Sequence, residues 1–203
     1  MSKERKITFT EKCRVWFKSF GDSCAAFLLK CGLTANMVTI IGCVGHVFAA
    51  YLAGTGRFTW AGVLLICFAV FDFFDGTMAR MSTGGTGTKF GSVLDSTTDR
   101  YAEFMIFGSI LYWNAAQGDL HMVILCLVTM MGSFLVPYTR AKGELLGLDM
   151  RLGLMSRLER YIILVLGLLL GYPAVNWAMG IIAVFANITA IQRLVHIKKE
   201  TEK

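Results

Sequence analysis

An all-α, polytopic membrane protein of six transmembrane helices, preceded by an N-terminal interfacial amphipathic helix, is the fold class this sequence predicts. Three observations predict it. Of 203 residues, 55% are hydrophobic and only 17% charged, which is too apolar for an ordinary soluble domain of this length. Apolar stretches approaching the roughly 20 residues a helix needs to cross a bilayer recur through the chain. Of the 20 Lys and Arg residues, only Arg57 falls in the connections after the first, third and fifth stretches. The positive-inside rule therefore places the basic side in the cytoplasm, and an even number of crossings returns both termini to it.

The interfacial helix is predicted over residues 8–30, where Cys13, Trp16, Phe17 and Phe20 recur at helical spacing beside Lys12, Arg14 and Lys18. Charges spread through Lys18 before any long apolar run, unlike a cleavable signal. The spans are predicted at 33–53, 60–80, 91–113, 119–141, 157–172 and 174–195. The fifth is the shortest, with a continuous apolar core only from Tyr161 to Gly171, so it spans by tilting or by recruiting Leu158 and tolerating Arg160. The chain then divides into a cytoplasmic or interfacial segment (1–32), a membrane domain (33–197) and a charged tail (198–203).

Several features carry little chemistry. The net charge of +6 reports membrane orientation and contact with anionic headgroups, so no nucleic-acid partner is expected. The six cysteines show no C-x-x-C spacing and read as buried, inert thiols. His46, His121 and His196 lack ligand spacing, and the Asn187-Ile188-Thr189 sequon lies inside the last span. No internal repeat supports an inverted-repeat transporter.

The acidic residues are different, because an ionisable group inside an apolar span costs several kcal/mol unless it meets a partner or a polar cavity. Asp72 and Asp75 stand at i, i+3 near the cytoplasmic end of the second span, and Asp95 and Asp99 at i, i+4 near the cytoplasmic start of the third. Each pair shares one helix face. The short loop around Ser82–Gly87 makes the two spans antiparallel neighbours, so the pairs can converge. Four carboxylates brought together repel, and hard Mg²⁺ or Mn²⁺ resolves the repulsion while bridging to substrate phosphates. The alternative is a salt-bridge network with Arg80, Arg100 and other cations. Gly76, Ala79 and Gly91 permit close approach of a ligand or of another helix, and Arg80 offers a fork for phosphate oxygens.

The string Asp72-x-x-Asp75-Gly76-x-x-Ala79-Arg80 followed by Gly91-x-x-x-Asp95-x-x-x-Asp99 resembles the signature of the CDP-alcohol phosphotransferase family. Ten residues, Met81 to Phe90, separate its halves, about two more than is usual there, and a Gly/Thr-rich loop absorbs such an insertion readily. Thr34-Ala35-Asn36-Met37-Val38-Thr39 is similar to the segment opening the family's first span, with Ala35 where proline is usual. Tyr138 to Glu144, continuing to Gly153 and Arg157-Leu158-Glu159-Arg160, resembles the bacterial phosphatidylinositol phosphate branch.

The resemblance implies that Asp72, Asp75 and Asp95 hold two Mg²⁺ or Mn²⁺ ions, that Asp99 is the base and a further metal contact, and that Asn36, Thr39, Gly76, Ala79, Arg80 and Gly91 surround CDP-diacylglycerol. It also implies a homodimer among membrane lipids. The acceptor would be a small polyol phosphate, inositol phosphate, held by Arg140, Lys142, Arg157 and Arg160, with Arg151 nearby in sequence; arginine forks suit a phosphate monoester. Other acceptors (free inositol, glycerol phosphate, serine), an aspartate-rich prenyltransferase and a divalent-cation transporter are the rival readings. A prenyltransferase would carry aspartate motifs on two separate helix pairs, and a transporter would carry carboxylates near mid-membrane on several spans.

Overall fold

The computed structural model describes residues 21–202, and within them it is helical with no strands. A first helix, α1, covers residues 21–30, followed by α2 (Ala35–Gly54), α3 (Phe58–Ser82), α4 (Lys89–Ala116), α5 (Leu120–Leu145), α6 (Arg157–Leu170) and α7 (Ala174–Thr201). Each predicted span falls on one of α2 to α7. The aromatic positions predicted for an interfacial helix, Cys13 to Phe20, lie outside the described residues. The charged tail predicted at 198–203 continues α7 as far as Thr201.

Four helices, α2, α3, α5 and α7, are long and apolar enough to cross a membrane. Of the remaining predicted spans, α4 and α6 differ for physical reasons. Helix α4 has 28 residues, ample for a crossing, but Asp95, Asp99, Arg100 and Glu103 fall between its start and its middle. Helix α6 has 14 residues, about 21 Å at 1.5 Å per residue, short of the roughly 30 Å hydrocarbon core.

The described residues form two compact units, and α2, α3 and α4 each contribute one end to either. The first comprises residues up to Gly42 together with Phe68–Thr98. Its core is small: Ala25, Val38 and Met78, with Leu28, Leu29, Leu33, Phe71 and Phe74 packed around them. Thr34 caps α2 by accepting a hydrogen bond from the Met37 backbone N–H at 3.3 Å. The α3–α4 connection turns on Gly84, Gly85 and Gly87, whose φ values of 70°, 122° and 68° suit glycine alone. Thr83 ties it together, donating to the Ala79 carbonyl at 2.7 Å and accepting from the Gly87 N–H at 2.7 Å.

The second unit comprises Cys43–Cys67 and the chain from Asp99 onward. Its apolar core runs through Leu65, Phe107, Ile110, Leu168, Met179 and Ile182. Small residues let its helices approach. A Cβ on Gly167 would stand 2.5 Å from the Ala178 Cβ, and one on Gly132 would stand 3.1 Å from the Ala186 Cβ. Gly167 of the Gly167-x-x-x-Gly171 pattern therefore packs α6 on α7 within one chain, while Gly171 serves as the C-cap of α6. Polar groups also cross between helices: Thr129 donates to the Met179 carbonyl at 3.0 Å and Asn187 to the Val128 carbonyl at 3.1 Å. The sequon asparagine thus braces α7 against α5. Cys126 is buried in this core, whereas Cys31 and Cys67 are exposed, so burial of the thiols inside the protein holds for only part of the set.

Candidate active site

In the first unit the end of α3 and the start of α4 carry the carboxylates. Asp75 is 6% exposed and lies within electrostatic reach of both Asp95 and Asp72. At the roughly 6 Å typical of groups one helical turn apart, two such charges repel by about 3 kcal/mol at an effective dielectric of about 20. Local donors offset part of this: the buried Thr39 hydroxyl donates to Asp75 Oδ2 at 2.6 Å, reaching from α2, and the Gly76 backbone N–H also donates to the carboxylate. Gly42, also on α2, brings its backbone close to α3, since a Cβ there would lie 3.6 Å from Asp72 Oδ1.

The residues expected around a CDP-lipid group in the same unit. A Cβ on Gly91 would stand 3.3 Å from Asn36 Oδ1, and the Gly91 N–H donates to Thr88 Oγ1 at 2.9 Å, starting α4. A Cβ on Gly76 would lie 3.5 Å from Arg80 Nη1, and the exposed Arg80 is steadied by donating to Thr77 Oγ1 at 3.0 Å. Ala79 presents only a methyl group, 3.7 Å from where a Gly87 Cβ would be.

Among the described residues no three His, Cys, Asp or Glu side chains are gathered as a ready-made metal cage. The donor set nonetheless fits a hard divalent cation. Its members are carboxylate oxygens, three of them interacting electrostatically, with the neighbouring hydroxyl orienting one.

Asp99 belongs to the second unit, although it follows Asp95 by one turn of the continuous α4. Arg157 at the start of α6 meets Asp99 Oδ1 at 2.5 Å, and Arg100 stands 3.7 Å from Asp99 Oδ2. An arginine network, the alternative to bound metal, is therefore present at Asp99. One turn along α4, Glu103 accepts a 2.8 Å hydrogen bond from Arg160, and Arg100 approaches Glu103 at 3.5 Å. Arg160 is 2% exposed, and its Nε and Nη1 find no hydrogen-bond partner.

The other residues expected at an acceptor divide. Arg140 pairs with its own helix neighbour Glu144 at 2.7 Å, and Lys142 sits 5.8 Å from the centre of the Tyr138 ring, both on the exposed end of α5. Arg151 lies beside Asp149 at 3.9 Å in the following loop. Two residues escaped the sequence reading. Glu103 looks like one more polar position on a charged helix start. Arg193 looks like a positive-inside residue at the end of a span, yet it is 6% exposed, donates to the Leu152 carbonyl at 3.0 Å and the Val136 carbonyl at 2.5 Å, and lies within electrostatic reach of Arg140 and Arg160. A basic residue inside the final apolar run was the available signal for Arg193.

Comparison with known proteins supplies the context for this geometry. The family model described as CDP-alcohol phosphatidyltransferase matches residues 32–189. A phosphatidylinositol phosphate synthase of Mycobacteroides abscessus is 38% identical over 188 residues, covering 89% of this chain and 84% of that protein. One of Corynebacterium glutamicum is also 38% identical, covering 84% of this chain and 80% of its own. The crystal structure of the Mycobacterium tuberculosis phosphatidylinositol phosphate synthase with manganese and citrate superposes with a TM-score of 0.81 at 35% identity, over 87% of this chain and 88% of that one. The same protein with CDP-DAG bound gives a TM-score of 0.81 at 33% identity, over 87% and 92% of the two chains.

Proposed function

As a member of the CDP-alcohol phosphatidyltransferase family, this chain is an enzyme of phospholipid synthesis, and we propose that it transfers the phosphatidyl group of CDP-diacylglycerol to a hydroxyl of inositol phosphate, releasing CMP. The observation that carries the reading is the aspartate signature on adjoining ends of α3 and α4, three of whose carboxylates interact. The phosphatidylinositol phosphate synthases at 33–38% identity support the acceptor, as does the basic start of α6.

Asp72, Asp75 and Asp95 hold the divalent ions, Mg²⁺ or Mn²⁺, which when bound neutralise the diphosphate and the charge that develops on the leaving group. Thr39 orients Asp75. Asn36, Gly76, Ala79, Arg80 and Gly91 accommodate the CDP-lipid, small residues letting it approach the backbone while Arg80 holds phosphate oxygens. Asp99 takes the proton of the attacking hydroxyl as its oxygen bonds to the lipid-side phosphorus, because an alcohol is a weak nucleophile until its proton has somewhere to go. Arg157 receives the acceptor's phosphate, with Arg160, Arg140, Lys142 and Arg193 adding positive potential.

In the same reading α4 and α6 complete six crossings, with both termini and the site on the cytoplasmic side of a bacterial plasma membrane, and the chain pairs as a homodimer. Residues 33–197 form the catalytic membrane domain. The reading is tested with purified protein, CDP-diacylglycerol and Mn²⁺ by measuring CMP release with inositol phosphate, free inositol, glycerol phosphate and serine in turn. Release with inositol phosphate alone is expected. Equal release with glycerol phosphate would reassign the acceptor, and no release with any would reject the reaction.

A further inference from the structure

Helices α4 and α6 are joined by two ion pairs that look alike and differ in one respect. Asp99 with Arg157 and Glu103 with Arg160 form successive rungs, and Arg100 leans on both carboxylates. The carboxylate side chains are equally sheltered, at 11% exposure each, but the Arg160 side chain is 2% exposed and the Arg157 side chain 36%. A pair sealed from solvent is costly to open, because separation leaves an uncompensated charge, whereas a pair with one partner partly exposed opens at lower cost. Arg160 is the fixed rung, and Arg157 is the one that can leave.

The movable rung occupies the oxygen that the proposed chemistry needs. While Arg157 Nη2 lies 2.5 Å from Asp99 Oδ1, the guanidinium occupies that oxygen and covers its side of the carboxylate against a nucleophile. We propose that Arg157 guards the base: it engages Asp99 when no acceptor is present, and the phosphate of an arriving acceptor draws it off, so the carboxylate is released only when a hydroxyl is there to activate. This rests on the function proposed above. A phosphate dianion outcompetes a carboxylate for a guanidinium through higher charge and a matching fork geometry. Arg100, 3.7 Å from the other oxygen, stays behind and keeps Asp99 oriented.

The device makes the acceptor's phosphate a requirement for rate as well as for binding, and it protects the activated lipid from water. In the side reaction it suppresses, a water oxygen bonds to the lipid-side phosphorus and the bond from that phosphorus to the bridging oxygen breaks. CMP leaves with the electron pair, the water's proton goes to Asp99, and phosphatidic acid remains.

The test is acceptor-free CMP release by the full-length purified chain with CDP-diacylglycerol and Mn²⁺. Arg157→Gln should raise it about tenfold or more, part of the roughly 10²–10⁴ that a positioned base contributes, while raising KM for inositol phosphate. Methyl phosphate, which carries the anion and no hydroxyl, should raise acceptor-free release by the unaltered protein and leave the variant unaffected. A guanidinium that merely binds phosphate predicts otherwise: Arg157→Gln unchanged or slower without acceptor, and methyl phosphate without effect on the unaltered protein. Either result overturns the guard. The methyl phosphate arm needs no substitution, so it decides the matter even if the variant fails to fold. An unaltered protein that transfers nothing to inositol phosphate would overturn the proposed function instead.

Discussion

Replacing Thr39 by valine keeps the shape of the side chain and deletes one hydroxyl. That hydroxyl donates to Asp75 Oδ2 at 2.6 Å, between residues only 7% and 6% exposed, so solvent has little room to replace it. Hydrogen bonds to charged groups contribute about 1.5–3 kcal/mol, corresponding to roughly 10- to 150-fold in an equilibrium constant. Part of this falls on folding, and part on the orientation in which Asp75 meets a cation. Partners that orient metal ligands typically contribute 10–100-fold in metal affinity or activity. CMP release by Thr39→Val, titrated with Mn²⁺, should therefore reach half-maximum at a concentration raised at least about tenfold, and Thr39→Ser should restore most of the loss. Coincident Mn²⁺ titrations for Thr39→Val and the unaltered protein would refute the assignment of Thr39 as the group that orients Asp75.

Glu103→Gln should lower thermal stability by about 3–5 kcal/mol, because Arg160 at 2% exposure is left as an uncompensated charge; Glu103→Leu combined with Arg160→Met, measured in the same detergent, should be milder. Gly167→Leu places atoms where a Cβ alone would stand 2.5 Å from the Ala178 Cβ, so overpacking of about 1–3 kcal/mol is expected. Ala178→Gly should partly relieve it, and light scattering should show unchanged oligomeric state, since this face packs within the chain. Asp99→Asn should abolish turnover, read as CMP release, while CDP-diacylglycerol binding survives; full activity would remove Asp99 as the base.

Much of the helical layout was legible because lipid imposes a coarse rule: runs of about 20 apolar residues become helices. The runs at α2, α3, α5 and α7 obeyed it. Helix α4 is harder to read as a span because its first half must carry the polar chemistry, and α6 because only 14 residues are helical before Gly171 ends it. The aspartates were legible from spacing, since i, i+3 and i, i+4 place side chains on one face whatever surrounds them.

The partners of those aspartates were not legible. Nothing in sequence links Thr39 to Asp75, 36 positions away, or Arg160 to Glu103, 57 away. Such pairs depend on the rotation of one helix against another, which spacing along a single helix does not set. Arg193 was hidden for a related reason: its neighbours are backbone carbonyls of Val136 and Leu152, which every sequence has. Gly167 shows the converse, a small residue visible in sequence whose partner, Ala178 on α7 of the same chain, only the fold identifies.

Titrating Mn²⁺ into the purified protein with CDP-diacylglycerol present, and again after Asp75→Asn and Asp95→Asn, asks whether the carboxylates where α3 ends and α4 begins hold the ions that grip the lipid diphosphate. Two tightly held ions in the unaltered protein and loss of that binding in both variants are expected. Undiminished binding in either variant would contradict it.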